Sequence, residues 1–338
     1  MILHSHLSPR PHATTAGMAA GDAIAPVPNW LRRAVPGAQA LAGQSLEDVA
    51  LAAGAALGAL DAVVRRQERW AGVWRQRLAL CAAAVTAKQA GRVEDEPALR
   101  DAVLLTRAGD DVGPAGRMFL GWRRFAQTPA KDLLTEASIG VVLDEFGFAR
   151  ADDELADLAD ALRQLSSSRG VAGMLTGALA SAERLGYGRS LGVWLADAVL
   201  AQRLGWTHAV PLLGTEAALG TSAGLRRSAP GSAASSIETD PESVKSLIAA
   251  QARAALRAID LAAEIERRAH RLLAVAPRLR AKAADAVVDK LLSNDAIVAS
   301  EKIAGMSDRG LRRLFDRLVE LDAVRELSGR PTFRMYGL

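Results

Sequence analysis

Four arginines between residues 307 and 321 have a type and spacing that suit DNA binding. They recur at intervals of three and four residues and therefore share one side of a helix: Arg309, Arg312, Arg313 and Arg317. Apolar residues recur at the same intervals on the other side: Leu311, Leu314, Phe315, Leu318 and Leu321. A helix that enters the major groove needs an apolar back and arginine donors in front, which can bind guanine O6 and N7 or phosphates. The pattern predicts a nucleic-acid-binding helix.

Two further arginines, Arg330 and Arg334, lie in the hairpin predicted after this helix, where they can reach backbone phosphate or the minor groove. The same segment also supports a different interpretation. Asp308, Asp316 and Glu320 can form ion pairs with the arginines on a solvated or protein-facing surface, and two of these carboxylates would repel phosphates.

Other residues with possible chemistry give weaker signals. The adjacent carboxylates Asp110 and Asp111 near Arg117 can hold a divalent cation, but an acidic loop that caps the next helix explains them equally well. The histidines lack ligand spacing, and no phosphate-binding or dinucleotide loop occurs, so we predict no catalytic residue, cofactor or metal. Asp197 lies in an apolar helix, as do Arg75 and Arg77, and we predict that Asp197 pairs with an arginine inside the protein because a buried charge needs a partner.

The order of elements around the arginines predicts a winged-helix module at residues 283–338. A first helix ends near 293, a short second helix spans 299–304, and Ser307 caps the third helix. Two extended segments, 324–327 and 332–336, follow on either side of a turn at Ser328-Gly329-Arg330-Pro331 and indicate a β-hairpin.

The rest of the chain predicts an all-α multi-helix body. Half of the residues are apolar but only 4% are aromatic, and Ala and Leu, which are strong helix formers, predominate. We predict a disordered leader at 1–44, a helical domain at 45–213, a flexible Ser- and Gly-rich linker at 214–240 and a long connecting helix at 241–276. The domain contains helical stretches at about 72–90, 97–107, 114–127, 131–146, 152–166, 170–186 and 190–204.

Charge and cysteine usage restrict the partners and the compartment. Residues 46–213 contain 19 Lys or Arg and 21 Asp or Glu, whereas residues 241–338 contain 18 and 13, a net charge of +5. A basic C-terminal third indicates a polyanionic partner for that third. The single cysteine, Cys81, and the lack of a signal-like or membrane-spanning apolar run predict a cytoplasmic protein that does not enter a membrane.

The chain resembles a bacterial family known as domain of unknown function 1403. The resemblance rests on Trp70-Ala71-Gly72-Val73-Trp74, on Gly109-Asp110-Asp111 with Gly113-Pro114, on Trp194-Leu195-Ala196-Asp197 and on Met306-Ser307-Asp308-Arg309 through Tyr336-Gly337. It covers about residues 45–338 and implies no known activity. The tail from Arg325 to Arg330 is also similar to the terminal winged helix of several bacterial proteins.

These observations favour a DNA-associated accessory or regulatory protein that binds double-stranded DNA through its terminal winged helix. The alternative is a scaffold or assembly subunit whose winged helix docks on a protein partner, as in kleisin-like subunits, or which associates with itself. An enzyme with metal-dependent activity at Asp110 and Asp111 is the third hypothesis.

Overall fold

The computed structural model describes residues 23–107, 109–149, 152–168, 170–220, 240–279, 281, 283–330 and 332–338. The described residues form twelve α-helices and a small antiparallel sheet, which confirms the predicted all-α class with a C-terminal hairpin. The helices are α1 (Asn29–Ala34), α2 (Leu46–Arg65), α3 (Ala71–Gln89), α4 (Glu96–Leu104), α5 (Gly113–Gln127), α6 (Glu136–Phe146), α7 (Asp152–Ser168), α8 (Val171–Arg184), α9 (Arg189–Arg203), α10 (Pro241–Val275), α11 (Ala284–Ser293) and α12 (Asp308–Glu320). The strands are β1 (Ile297–Val298), β2 (Arg325–Glu326) and β3 (Met335–Gly337).

Side-chain caps determine where several helices begin. Ser45 Oγ accepts the Asp48 N–H at 3.0 Å, and Asp95 Oδ1 accepts the Ala98 N–H at 3.0 Å. Asp240 accepts two amide N–H groups at the start of α10, where Pro241 occupies the first position. Each cap satisfies donors that have no partner within the helix, so the chain becomes helical at that residue.

Helix α3 lies at the centre of the helical body, which we define as α1 to α10. It packs against α4, α5 and α10, and alanines allow these backbones to approach closely. The indole N–H of Trp74 donates to the carbonyl of Ala258 on α10 at 2.9 Å, and that of Trp122 donates to Thr86 Oγ1 at 2.9 Å. The tryptophans therefore fill the gaps between small-residue helices and satisfy two of their donors in doing so.

Helix α10 packs along α2 over much of its length instead of acting as a free connector. Both helices bury alanines, including Ala52 and Ala56 on α2 and Ala255 and Ala262 on α10. The predicted connecting helix at 241–276 is thus part of the body.

The structure corrects the predicted leader over residues 23–44. Helix α1 packs on α2 and buries Leu31, and Arg32 Nη1 donates to Asp260 Oδ2 on α10 at 2.9 Å. Apolar residues at 27, 31 and 35 give this segment enough surface to bury. The remainder of the predicted leader, residues 1–22, lies outside the described residues.

The beginning of the predicted linker, residues 214–220, is also ordered. Short 3-10 turns at Leu213–Thr215 and Ala217–Gly220 pack against the core, and the Glu216 carboxylate lies between Arg253 and Arg257 of α10. The two ion pairs hold a segment that has few large apolar side chains. Residues 221–239 of the predicted linker are outside the described residues.

Residues 283–338, the C-terminal module, contain α11, α12 and the whole sheet. The strand order is β1-β3-β2, so β3 is the central strand. Its Tyr336 lies opposite Ile297 of β1 on one side and Glu326 of β2 on the other. The predicted second helix at 299–304 does not form. The Ala299 N–H bonds to the Arg334 carbonyl at 2.8 Å, and Gly305 turns the chain with φ +79°. The hydrogen bond at Ala299 keeps the chain paired with the segment before β3 instead of starting a helix.

Within the described ranges, none of the helices combines the length with the apolar character that a bilayer span requires.

Candidate nucleic-acid interface

Helix α12 presents the predicted arginines to solvent because its other side is fixed in the module. Ser307 Oγ caps the helix by accepting the Gly310 N–H at 3.1 Å. Leu311, Leu314, Phe315 and Leu318 are buried. The Phe315 ring stacks on Tyr336 of β3 with centroids 4.2 Å apart and planes 8° from parallel. This packing sets the rotation of α12, so the sheet and the helix together determine which side chains face outward.

Three arginines of α12 are exposed and have no ion pair among the residues that the structure describes. They are Arg309, Arg312 and Arg313, which we call the arginine face. All three lie in the N-terminal half of the helix. The first-turn carboxylate, Asp308, is held by Lys302 Nζ at 3.1 Å, so a neighbouring cation offsets its charge.

The C-terminal half of α12 is electrically mixed. Arg317 Nη1 lies 3.0 Å from Glu320 Oε2 in an exposed pair, and Asp316 is exposed on the same side of the helix. An exposed pair of this kind is worth little energetically, but it offsets the charge of Arg317. The predicted set of helix arginines therefore divides into three unpaired residues and one paired residue.

The hairpin arginines occupy different environments. Arg330 forms an ion pair with Asp101 of α4, so it contacts the helical body. Arg334 lies beside Arg312 in a groove of about 480 Å³, which Phe333 and Tyr336 also line. Arg334 Nε is 3.8 Å from Glu326 Oε2, and a hydrogen bond to Tyr336 contributes most to raising its pKa. The structure thus brings Arg334 to the arginine face, whereas the exposed Arg330 has its charge offset by Asp101.

A buried cluster fixes the module to the body. Asp295, only 5% exposed, accepts hydrogen bonds from Arg77 of α3 and from Arg100 Nε of α4, the latter at 2.6 Å. Arg77 Nη2 also donates to the Leu338 carbonyl at 3.1 Å. Burial raises the pKa of Asp295, but the attraction of the two guanidinium groups outweighs this and leaves the pKa below its ordinary value. A charged carboxylate at 295 therefore joins three elements.

This cluster escaped the sequence analysis, although a signal was present. Asp295 is a lone carboxylate immediately before the apolar run Ala296-Ile297-Val298, and such a charge needs a buried partner. Arg77 is a charge in an apolar helix, but the sequence offers Asp197 as its partner instead of Asp295. Nothing in the local pattern around Arg100 distinguishes it from a surface arginine.

The predicted pairing of Asp197 with an arginine is wrong. Its carboxylate accepts the N–H groups of Leu212, Leu213 and Gly214 at 2.8, 3.0 and 3.2 Å. Burial raises the pKa of Asp197 to about 7, and the three amide donors oppose the increase. Asp197 therefore organises the turn after α9, since backbone donors there supply the partners that an arginine was expected to provide.

The acidic loop at Asp110 and Asp111 forms a local cap. Asp111 Oδ1 accepts the Gly113 N–H at 3.1 Å and lies 3.1 Å from Arg117 Nη2, and the backbone bond is the main reason why the pKa of Asp111 is lowered. Among the described residues, no three potential ligands of the His, Cys, Asp or Glu type are close enough together to hold a metal ion.

The chain belongs to the family described as "Protein of unknown function (DUF1403)", whose model matches residues 16–338. A comparison with curated proteins finds no match.

Proposed function

We propose that this protein is a DNA-associated accessory or regulatory protein that binds duplex DNA through α12 of a C-terminal winged helix. The arginine face is the observation that carries the proposal. Three exposed guanidinium groups, free of ion pairs in the described structure, lie on a helix whose orientation is fixed by a buried apolar back. Such groups keep their full charge for a phosphate or a guanine edge.

The distribution of charge along α12 supports this use of the helix. Recognition helices contact base edges mainly through their N-terminal residues, and here the N-terminal half is basic. The carboxylates Asp316 and Glu320 lie in the second half, although Asp316 lines the same groove as Arg312 and Arg334. Arg334 adds a fourth cation beside Arg312.

The strand order β1-β3-β2 and the position of α12 before the hairpin support the winged-helix assignment. In that fold the hairpin forms a wing beside the recognition helix. The turn at 299–306, which takes the place of a second helix, departs from the usual order.

A scaffold function is the second candidate, and one observation favours it. Phe333 is 69% exposed at the tip of the hairpin with φ +56°, and Val319 is 41% exposed on α12. A non-glycine residue held at positive φ is strained, which is a feature of functional surfaces. Exposed apolar residues beside cations suit a protein partner or a second copy of the chain as well as a nucleic acid.

A salt series of binding to labelled non-specific duplex DNA tests the proposal. The wild-type log affinity should fall linearly with log salt concentration. Replacing the arginine face by glutamine (R309Q/R312Q/R313Q) should reduce the steepness of this line by about 2.7 if each arginine holds one phosphate.

A matched variant controls for net charge. R33Q/R117Q/R163Q removes the same three charges from exposed positions on the helical body and should leave the slope unchanged. Equal slopes for the two triple variants, or no salt-sensitive binding by the wild type, would reject the DNA hypothesis. Specific co-purification of a protein that is lost with F333S would then support the scaffold.

A further inference from the structure

A cavity of about 410 Å³ lies between the helical body and the C-terminal module. Its walls come from the first turns of α3, the end of α5, residues 207–208 after α9 and the end of α11 at Ser293 and Asn294. The walls meet closely, since a Cβ added to Gly72 would lie 2.8 Å from the Ser293 Cα. A volume of this size accommodates a small organic ligand.

Arg75 is the distinctive residue of this cavity. It is partly buried, its Nε donates to the Ala126 carbonyl at 3.0 Å, and its two Nη groups have no hydrogen-bond partner in the described part of the chain. Burial lowers the pKa of Arg75 to about 10 because no carboxylate offsets the cost of desolvating the cation. A guanidinium with free donors on the wall of a cavity is therefore left without the counter-charge that such groups normally have.

The other charged groups around the cavity already have partners. Glu68 lies 2.9 Å from Arg66, and Arg69 lies 2.9 Å from Asp289 of α11. His208 stays uncharged near neutrality because burial, and then repulsion from Arg75, lower its pKa. The net charge that a ligand would meet is thus the single positive charge of Arg75.

We propose that this cavity, the anion pocket, binds a small molecule through a phosphate or carboxylate group held by the fork of Arg75. The planar guanidinium matches either oxyanion bidentately. Gln127 and Asn294 line the same cavity and supply amide groups for the remainder of the ligand. Because Asn294 adjoins Asp295, which fixes the C-terminal module, a bound anion would contact both parts of the protein.

Thermal unfolding of the full chain in the presence of inorganic phosphate or succinate, at constant ionic strength, tests this site. Either anion should raise the unfolding midpoint of the wild type in a saturable way. R75Q should weaken the binding by roughly tenfold or more, since it removes a charge-assisted contact. The ratio of the phosphate and succinate affinities identifies which oxyanion the pocket prefers.

Two further variants keep the result interpretable. Q127W obstructs the cavity from an exposed position without touching the Arg75–Ala126 bond, so it should abolish the shift even if R75Q folds poorly. R309Q/R312Q/R313Q should retain the shift, which separates the anion pocket from the arginine face. No stabilisation of the wild type by either anion, or equal stabilisation of wild type and Q127W, would overturn the proposal.

Discussion

Replacing Asp295 by asparagine tests whether buried charge holds the C-terminal module on the helical body. The carboxylate is 5% exposed and lies between Arg77 and Arg100, whose side chains are 15% and 8% exposed. Asparagine keeps the shape of the side chain but removes the negative charge. The two guanidinium groups then lose the carboxylate that they bind, although Glu96 still interacts with both. Removing one partner of a buried ion pair typically costs about 3–5 kcal/mol.

This cost is a large part of the stability of an ordinary domain, which is about 5–15 kcal/mol. Urea unfolding of D295N should therefore show a large decrease in midpoint relative to the wild type. The matched control is D289N, which removes a carboxylate of α11 that pairs with Arg69 of the body but is 65% exposed. We expect that change to cost less than about 1 kcal/mol because solvent screens the pair.

The pH dependence gives an independent check on the same cluster. Because the folded pKa of Asp295 lies below its unfolded value, the stabilisation is complete above the unfolded pKa and is lost as the pH falls through the folded pKa. The wild type should therefore lose stability in acid below about pH 4, and D295N should lose less over the same range. If D295N lowers the free energy of unfolding by no more than D289N does, the reasoning is refuted.

Two other changes probe the turn after α9. D197N should destabilise the protein by about 1–3 kcal/mol, because an amide cannot accept all three N–H groups and leaves that of Leu213 unsatisfied. The folded pKa of Asp197 is raised to about 7 from its ordinary value of 3.8. Between these two pKa values the folded state binds more protons than the unfolded state. The stability of the wild type should therefore fall as the pH rises towards 7. In urea unfolding, the free energies of unfolding of wild type and D197N should differ less at pH 7 than at pH 5. The same difference at both pH values would contradict the raised pKa of Asp197. G214A should cost about 1–3 kcal/mol in the same assay, because its Cβ would lie 2.2 Å from Trp122. G54A, at an exposed position of α2 where an added Cβ meets nothing within 4 Å, should be neutral or slightly stabilising.

Local signals predicted most of the helices. The stretches expected at 72–90 and 190–204 form Ala71–Gln89 and Arg189–Arg203, and Asp240 with Pro241 marks the first residue of α10 correctly. Caps and apolar periodicity act within one or two turns, so a single sequence contains the necessary information.

Partners that are distant in sequence could not be predicted in the same way. Asp295 contacts Arg77, 218 positions away, and Arg330 contacts Asp101, which lies in a different element. The ordered turns at 213–220 depend on Asp197 and on Arg253, which lie in different helices. Periodicity identifies which face of a helix is buried, but it does not identify which charge on another helix will meet it.

The contacts of the module bear on how it would approach DNA. Asp295 joins the module to α3 and α4, and Arg330 joins it to α4. The arginine face forms no ion pair with the helical body within the described structure. With Arg330 held by Asp101, the tip of the hairpin is tied to the body and its cation is offset. DNA affinity would then depend on α12 and on Arg334, so R330Q should change the salt dependence of binding much less than R312Q does. If R330Q instead reduces the slope as much as R312Q, Arg330 contacts DNA despite its ion pair with Asp101, and the proposed dependence on α12 and Arg334 is wrong.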